Sequence, residues 1–473
     1  MSDCCTPNGR YDLAVIGAGS AGFSAAITAA EEGAHVALIG SGTIGGTCVN
    51  VGCVPSKAMI RAVEPLHQAK AAVRFDGVEA KARLTDWRAM VAQKQALVDE
   101  LRQAKYIDLL PAYNQIAYRE GTAQFGEGGA LLVDGAPLAA GKIVIATGSR
   151  PTTPSIPGID EVPYLTSTTA LELERPPASL MVIGAGYIGA ELAQVFARTG
   201  VAVTMVSRRG LLPEGEPEIA EALTQYLSDE GVRFVSGIAY ERIERTESGV
   251  RLIVTKGGER VEIEAEAVLA AAGRRANTDG LGLEAGGIAT DRHGAITVDE
   301  AMRTTRKGVY AAGDVTGRDQ FVYMAAYGAK LAAKNALNGD SLRYDRSAMP
   351  AVVFTDPNVA TVGLTEAAAK DAGIDAKTTV LGLENVPRAL AARDTRGLIK
   401  LVADANTNKL LGAHILAPEG ADSIQTAALA IKSGMTVDEL GATIFPYLTT
   451  VEGLKLAAQT FGKNVKMLSC CAG

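Results

Sequence analysis

Tryptophan occurs once in this 473-residue chain and histidine four times, and no uninterrupted apolar run is long enough to span a membrane. The missing run argues against a transmembrane helix. Residues Met1 to Arg10 lack the apolar core of a secretory signal. A net charge of −7 gives no basis for expecting nucleic acid or an anionic membrane as partner. One tryptophan beside 52 glycines suits a turn-rich α/β protein better than a helical bundle. Scattered structural thiols are lacking too. The six cysteines all sit in close pairs, Cys4/Cys5, Cys48/Cys53 and Cys470/Cys471. Thiols grouped in this way serve redox chemistry or soft-metal capture more often than packing. A cytoplasmic setting is expected, where structural disulfides are rare.

What is present begins with enough apolar residue, 47%, to bury two to four domain cores. Tyr11 to Ile16 reads as a buried strand, followed by the turn Gly17-Ala18-Gly19-Ser20-Ala21-Gly22, an Ala-rich helix, and a second strand from His35 to Ile39. Gly17 permits the tight turn, Gly19 lets backbone approach a pyrophosphate, and Gly22 allows close helix–strand packing. The helix N-terminus then faces the phosphates. One element is missing. The acid expected after the second strand, to hold ribose hydroxyls, falls at Gly40.

A second unit follows the same plan. Strand Leu180 to Ile183 leads into Gly184-Ala185-Gly186-Tyr187-Ile188-Gly189, a helix to Arg198, and a strand from Val201 to Val206. That strand ends in Ser207-Arg208-Arg209, where an acid would grip a 2′-hydroxyl; two arginines argue instead for a 2′-phosphate, hence NADPH. Two such units suggest two dinucleotides, one resident and one exchanging. Ala146-Thr147-Gly148, Ala271-Ala272-Gly273-Arg274 and Val309-Tyr310-Ala311-Ala312-Gly313-Asp314 end further strands, and Asp314 supplies an acid suited to a flavin ribityl hydroxyl.

With the segment Gly46-Thr47-Cys48…Cys53-Val54-Pro55-Ser56-Lys57 added, the chain resembles, nearly end to end, the FAD-dependent pyridine nucleotide–disulfide oxidoreductases. The resemblance implies an α/β architecture of two Rossmann-like domains, for FAD and NADPH, plus a C-terminal α+β dimerisation domain. The boundaries expected are 1–150 and 281–344 for FAD, 151–280 for NADPH, and 345–473 for dimerisation. It implies that Cys53 lies against the flavin as a thiolate, that Cys48 is the outer interchange thiol, and that Lys57 sits near the flavin and pairs with Glu191. Tyr187 would gate nicotinamide access. Ala21, Gly42, Thr47, Ala123 and Val322 would join Gly17, Gly19, Gly22, Thr147, Gly148, Gly273 and Asp314 at the cofactors, with Gly184, Gly186, Gly189, Arg208 and Arg209 on the NADPH side.

One part of the family pattern fails. Disulfide-reducing members carry His-Pro-Thr-x-x-Glu near the C-terminus, whose histidine protonates the leaving thiol. Here the segment is Ile444-Phe445-Pro446-Tyr447-Leu448-Thr449-Thr450, and His35, His67, His293 and His414 all lie elsewhere in sequence. The end of the chain carries Cys470 and Cys471 instead. Four thiols without a general acid suit a soft metal ion bound as thiolates and then reduced. The resemblance to metal-reducing members implies Hg(II) as substrate and Hg(0) as product, with Cys48, Cys53, Cys470 and Cys471 as metal ligands. Tyr106 and Tyr447 would flank the metal, and a homodimer would share the site between subunits. Cys4/Cys5 are read as a chain end rather than a capture arm. The rivals are a reductase of a small disulfide and a thiol protein that merely sequesters metal.

Overall fold

The computed structural model describes residues 9–468, and the Cys4, Cys5, Cys470 and Cys471 expectations lie outside them. By compactness the chain forms two units. One holds the segment ending at Ala58 together with Arg88–Thr152 and Gly273–Asp345; the other holds Met59–Trp87, Thr153–Ala272 and the chain from Arg346 onward.

In the first unit β1 (Tyr11–Ile16) leads to α1 (Ser20–Glu31) and β2 (Val36–Gly40). The short helix α2 (Gly46–Asn50) and the start of the longer α3 (Cys53–Ala71) follow, with β3 (Ile116–Glu120) further along. The five-stranded parallel sheet runs Val309–Ala311, Ala140–Ile145, β1, β2, β3. Parallel strands are covered on both faces, which is why β1 and β2 are near-continuous apolar runs rather than alternating ones. Helix α1 is made of small residues, so it packs closely on the helix Val322–Asn338. The register pairs Leu38 with Tyr118 and Gly40 with Glu120, which makes β3 the edge strand beside the end of β2.

The second unit holds a four-stranded parallel sheet ordered Arg233–Ser236, Ala202–Ser207, Ser179–Ile183, Ala267–Ala270. A three-stranded antiparallel sheet, Ile238–Arg245, Val250–Lys256 and Glu259–Ala265, shares an apolar core with it. A five-stranded antiparallel sheet has its own core, built on Ile399, Leu401, Ile415 and Leu454. The strands expected at His35–Ile39 and Val201–Val206 each begin and end one residue later, at Val36–Gly40 and Ala202–Ser207. Strand ends are set by the last ladder bonds rather than by residue type, which apolar runs do not reveal. Among the described residues, no helix is long and apolar enough to cross a membrane.

Candidate active site

The first glycine turn is a backbone cradle. Gly17 has φ +118°, and a Cβ there would run into the carbonyl oxygen of Ala146; one at Gly22 would run into that of Gly17. The first turn of α1 has no side-chain cap and no acidic residue, so its amides are left for an anion. The residues therefore fit a dinucleotide pyrophosphate. The redox loop packs straight onto this cradle. Gly45 N–H donates to Ala18 O at 2.8 Å, Gly45 and Gly19 form a parallel bridge, and a Cβ at Gly46 would meet Gly19 Cα at 2.6 Å. Only glycine backbone on both sides allows this approach.

That loop carries Cys48 on α2, while Cys53 opens α3, and both cysteines are of intermediate burial. A hydrogen bond to Cys53 is the main cause holding the Cys48 thiol protonated, and burial adds to it, while Lys57 opposes. One proton is thus kept on Cys48. Cys53 itself stands at the positive end of a 19-residue helix, where the dipole favours an anion. Ser56 closes the first turn by donating to Cys53 O at 3.2 Å.

Tyr106 sits in a π-helical turn, Gln103–Ile107, with its hydroxyl 3.1 Å from Ser20 Oγ and its ring edge-on to Phe23. Burial raises its pKa, the hydrogen bond with Ser20 opposes this, and the charges of Cys48 and Cys53 add a smaller upward push.

Next to Gly17, Thr147 Oγ1 donates to Asn277 O and Asn277 Nδ2 returns a bond to Thr147 O, fixing the turn at Gly148. Asp314 accepts from Ser149 Oγ at 2.6 Å. Arg274 donates to the same Ser149 Oγ and to Ser149 O, both at 2.8 Å. Sequence reasoning missed Arg274. Burial lowers its pKa, while Asp314 and Cys53 pull the other way, which places a guanidinium within the electrostatic reach of the Cys53 sulfur. Its only signal was the position after Ala271-Ala272-Gly273. Ala123 is buried in the strand Ala123–Phe125, Val322 opens its helix, Gly42 takes φ +79°, and Thr47 is exposed on α2.

In the second unit Gly184 and Gly189 repeat the geometry of Gly17 and Gly22, and the first turn of the helix Tyr187–Arg198 again has no side-chain cap or acid. A Cβ at Gly186 would meet nothing within 4 Å, so this cradle is open. Arg208 and Arg209 are exposed; Ser207 Oγ donates to Arg209 O, and Arg209 pairs with Glu214. Glu191 is buried and accepts the Phe354 N–H at 2.9 Å. The residue in the histidine position, Phe445, packs against the core of the antiparallel sheet, and Thr450 donates to Glu419 at 2.6 Å. Tyr447 is half-exposed. His414 lies 1% exposed in the strand Leu410–Ala417, and burial keeps it neutral, a core residue.

The family model for Pyridine nucleotide-disulphide oxidoreductase matches residues 11–333, and that for the corresponding dimerisation domain matches residues 349–458. The chain is 48% identical to a mercuric reductase of Lysinibacillus sphaericus over 98% of its length and 85% of that protein. It is 48% identical to a mercuric reductase of Streptomyces lividans over 98% of both. Among solved structures it is similar to the Cu(II) complex of the HOCl-induced flavoprotein disulfide reductase RclA from Escherichia coli. That match has a TM-score of 0.84 and 31% identity, and covers 96% of this chain and 100% of that one. This chain belongs to the pyridine nucleotide-disulphide oxidoreductase family, with its dimerisation domain.

Proposed function

We propose that this member of the pyridine nucleotide-disulphide oxidoreductases is an FAD-dependent enzyme that reduces Hg(II) to Hg(0) with electrons from NADPH, in mercury detoxification. The observation that carries the reading is the Cys48–Cys53 pair, one proton held on Cys48, seated on the phosphate cradle of a chain whose histidine position is Phe445. Its likeness to mercuric reductases over 98% of its length supports the choice of metal.

FAD, when bound, takes two electrons from NADPH and makes them available beside the thiols. The chain's own residues handle the metal. Cys53, a thiolate favoured by the end of α3 and by Arg274, attacks the incoming thiol-bound Hg(II) and displaces one small thiolate. Cys48 then exchanges for the second, and its proton leaves with that thiol. Each exchange makes one Hg–S bond as it breaks another, so no bare ion forms. Hg(II) accepts two electrons and departs as Hg(0); NADPH is left as NADP⁺ and a proton, and both cysteines are returned unoxidised. Tyr106 borders the metal position, and Tyr447 is assigned to its other side. Delivery falls to the partner subunit's Cys470 and Cys471, in a homodimer that shares its active sites. Lys57 and Glu191 are assigned to the flavin's reactive edge, Tyr187 to the nicotinamide, and Arg208 and Arg209 to the 2′-phosphate. The domains assigned are 1–150 with 281–344 for FAD, 151–280 for NADPH and 345–473 for dimerisation. A cytoplasmic location keeps these thiols reduced.

The test is substrate choice. NADPH oxidation should depend on Hg(II) presented with excess small thiol and stay near background with glutathione disulfide or lipoamide. The reverse pattern would establish a disulfide reductase, and a purified protein without flavin would establish a metal-sequestering one. Removing Cys470 and Cys471 together should slow turnover of thiol-bound Hg(II) and leave flavin reduction by NADPH unchanged. A tail variant with ordinary turnover contradicts the delivery role.

A further inference from the structure

The first unit has no acid at the end of β2 for the adenosine ribose, because Gly40 stands there. The space is nonetheless occupied. A Cβ built on Gly40 would meet Ala18 Cβ at 2.6 Å, Tyr118 Oη at 3.1 Å and Tyr118 Cε2 at 3.3 Å. Ala18 belongs to the phosphate turn, so the Tyr118 hydroxyl lies beside the turn where a β2-end side chain would start. It reaches there from the edge strand, since β3 runs parallel to β2 and pairs Tyr118 with Leu38, two residues before Gly40. The ring is half-buried, yet its hydroxyl has no hydrogen-bond partner among the described residues. A phenol hydroxyl that makes no bond within the protein, set beside the phosphate turn, is available to bond a ligand hydroxyl there. Burial, and then the Glu120 carboxylate, push its pKa up, so it remains a protonated donor at neutral pH.

We propose that Tyr118 is a cofactor-recognition residue whose hydroxyl hydrogen-bonds an adenosine ribose hydroxyl of FAD, in place of the acid that Gly40 does not provide. The inference rests on FAD as the occupant of the first unit. A glutamate at position 40 would not restore the usual arrangement, because its Cβ would collide with Ala18 and the tyrosine.

The experiment is calorimetric titration of the FAD-stripped wild type and Tyr118→Phe with FAD and with its 2′-deoxyadenosine and 3′-deoxyadenosine analogues. Phenylalanine keeps the ring and removes only the hydroxyl. The expected result is FAD binding weakened about three- to tenfold, the worth of one hydrogen bond, with the two proteins equal towards the analogue that lacks the bonded hydroxyl. Unchanged FAD affinity would show that Tyr118 only fills the space over Gly40, and would overturn the proposal. Equal losses towards FAD and both analogues would overturn it as well. A wild type that takes up no FAD at all would overturn the FAD reading itself, a result distinct from either.

Discussion

Gly19 and Gly186 hold equivalent places in two turns of identical spacing, and their surroundings differ. A Cβ at Gly19 would meet Gly46 Cα at 3.4 Å, beneath the loop that carries Cys48, while a Cβ at Gly186 would meet nothing within 4 Å. Sequence made the two turns look interchangeable. Their neighbours make one a covered cradle and the other an open one. A cofactor held under a protein loop exchanges slowly, and one lying on an open turn is free to come and go, as a resident flavin and a consumed nicotinamide require. The strand ends diverge in the same sense. β2 ends in Gly40 with a tyrosine leaning over it, whereas Ala202–Ser207 is followed by two exposed arginines.

The largest effect should come from the loop over the first turn. Cys53→Ala is expected to lower Hg(II) turnover by at least about a thousandfold, because it removes the thiolate that acts with Cys48 as a unit. It should also erase the long-wavelength absorption of a thiolate beside oxidised flavin, whereas Cys48→Ala keeps it. A Cys53→Ala protein retaining that band would contradict the placement of charge on Cys53.

The comparison itself is broken or sharpened by paired alanines. Gly46→Ala introduces a side chain at φ +66° against the backbone of Gly19, a change worth roughly 1–3 kcal/mol. Purified protein should carry less FAD and rebind it about tenfold or more weakly. Gly186→Ala has open space and φ −85°, so FAD content and melting temperature should hold while the NADPH KM rises several-fold. If both alanines cost FAD alike, the covered-versus-open distinction is wrong.

Arg208→Ala with Arg209→Ala should raise the NADPH KM by about tenfold and leave that for NADH nearly unchanged, the scale of a lost charge-assisted contact. A parallel loss with NADH would move the arginines away from the 2′-phosphate.

The smallest effect lies away from both turns. Burial alone would raise the Asp394 pKa, yet Arg396 and Arg74 bring it from the ordinary 3.8 down to about 2. A depressed carboxylate stabilises the fold above its unfolded pKa and loses that contribution as pH falls through the folded one. Denaturant titrations should therefore show roughly 2 kcal/mol lost between pH ~4 and ~2, a slope that Asp394→Asn flattens while FAD affinity stays unchanged.

How much of this was legible in the sequence follows from which parts are local. Both glycine turns, the Cys48/Cys53 pair and the loss of the histidine are contiguous motifs, and their elements formed within a residue of expectation. Arg274, Tyr118 and the Gly45–Gly19 bridge were not legible, since each depends on which strands lie side by side. Lys400 is a similar case. A lysine in an apolar strand pattern, it is 2% exposed and held by Glu216, Glu218 and Glu366, carboxylates from distant parts of the sequence. Burial would lower its pKa, but the three carboxylates outweigh burial and raise it. Nothing in local spacing pairs these four residues.

The measurement that tests the central claim most directly is the yield of volatile mercury, trapped under anaerobic conditions, against NADPH consumed by the flavin-loaded protein with thiol-bound Hg(II). One Hg(0) trapped per NADPH oxidised is the predicted result. NADPH oxidation that ignores Hg(II) and leaves the trap empty, with turnover of a disulfide in its place, would contradict it.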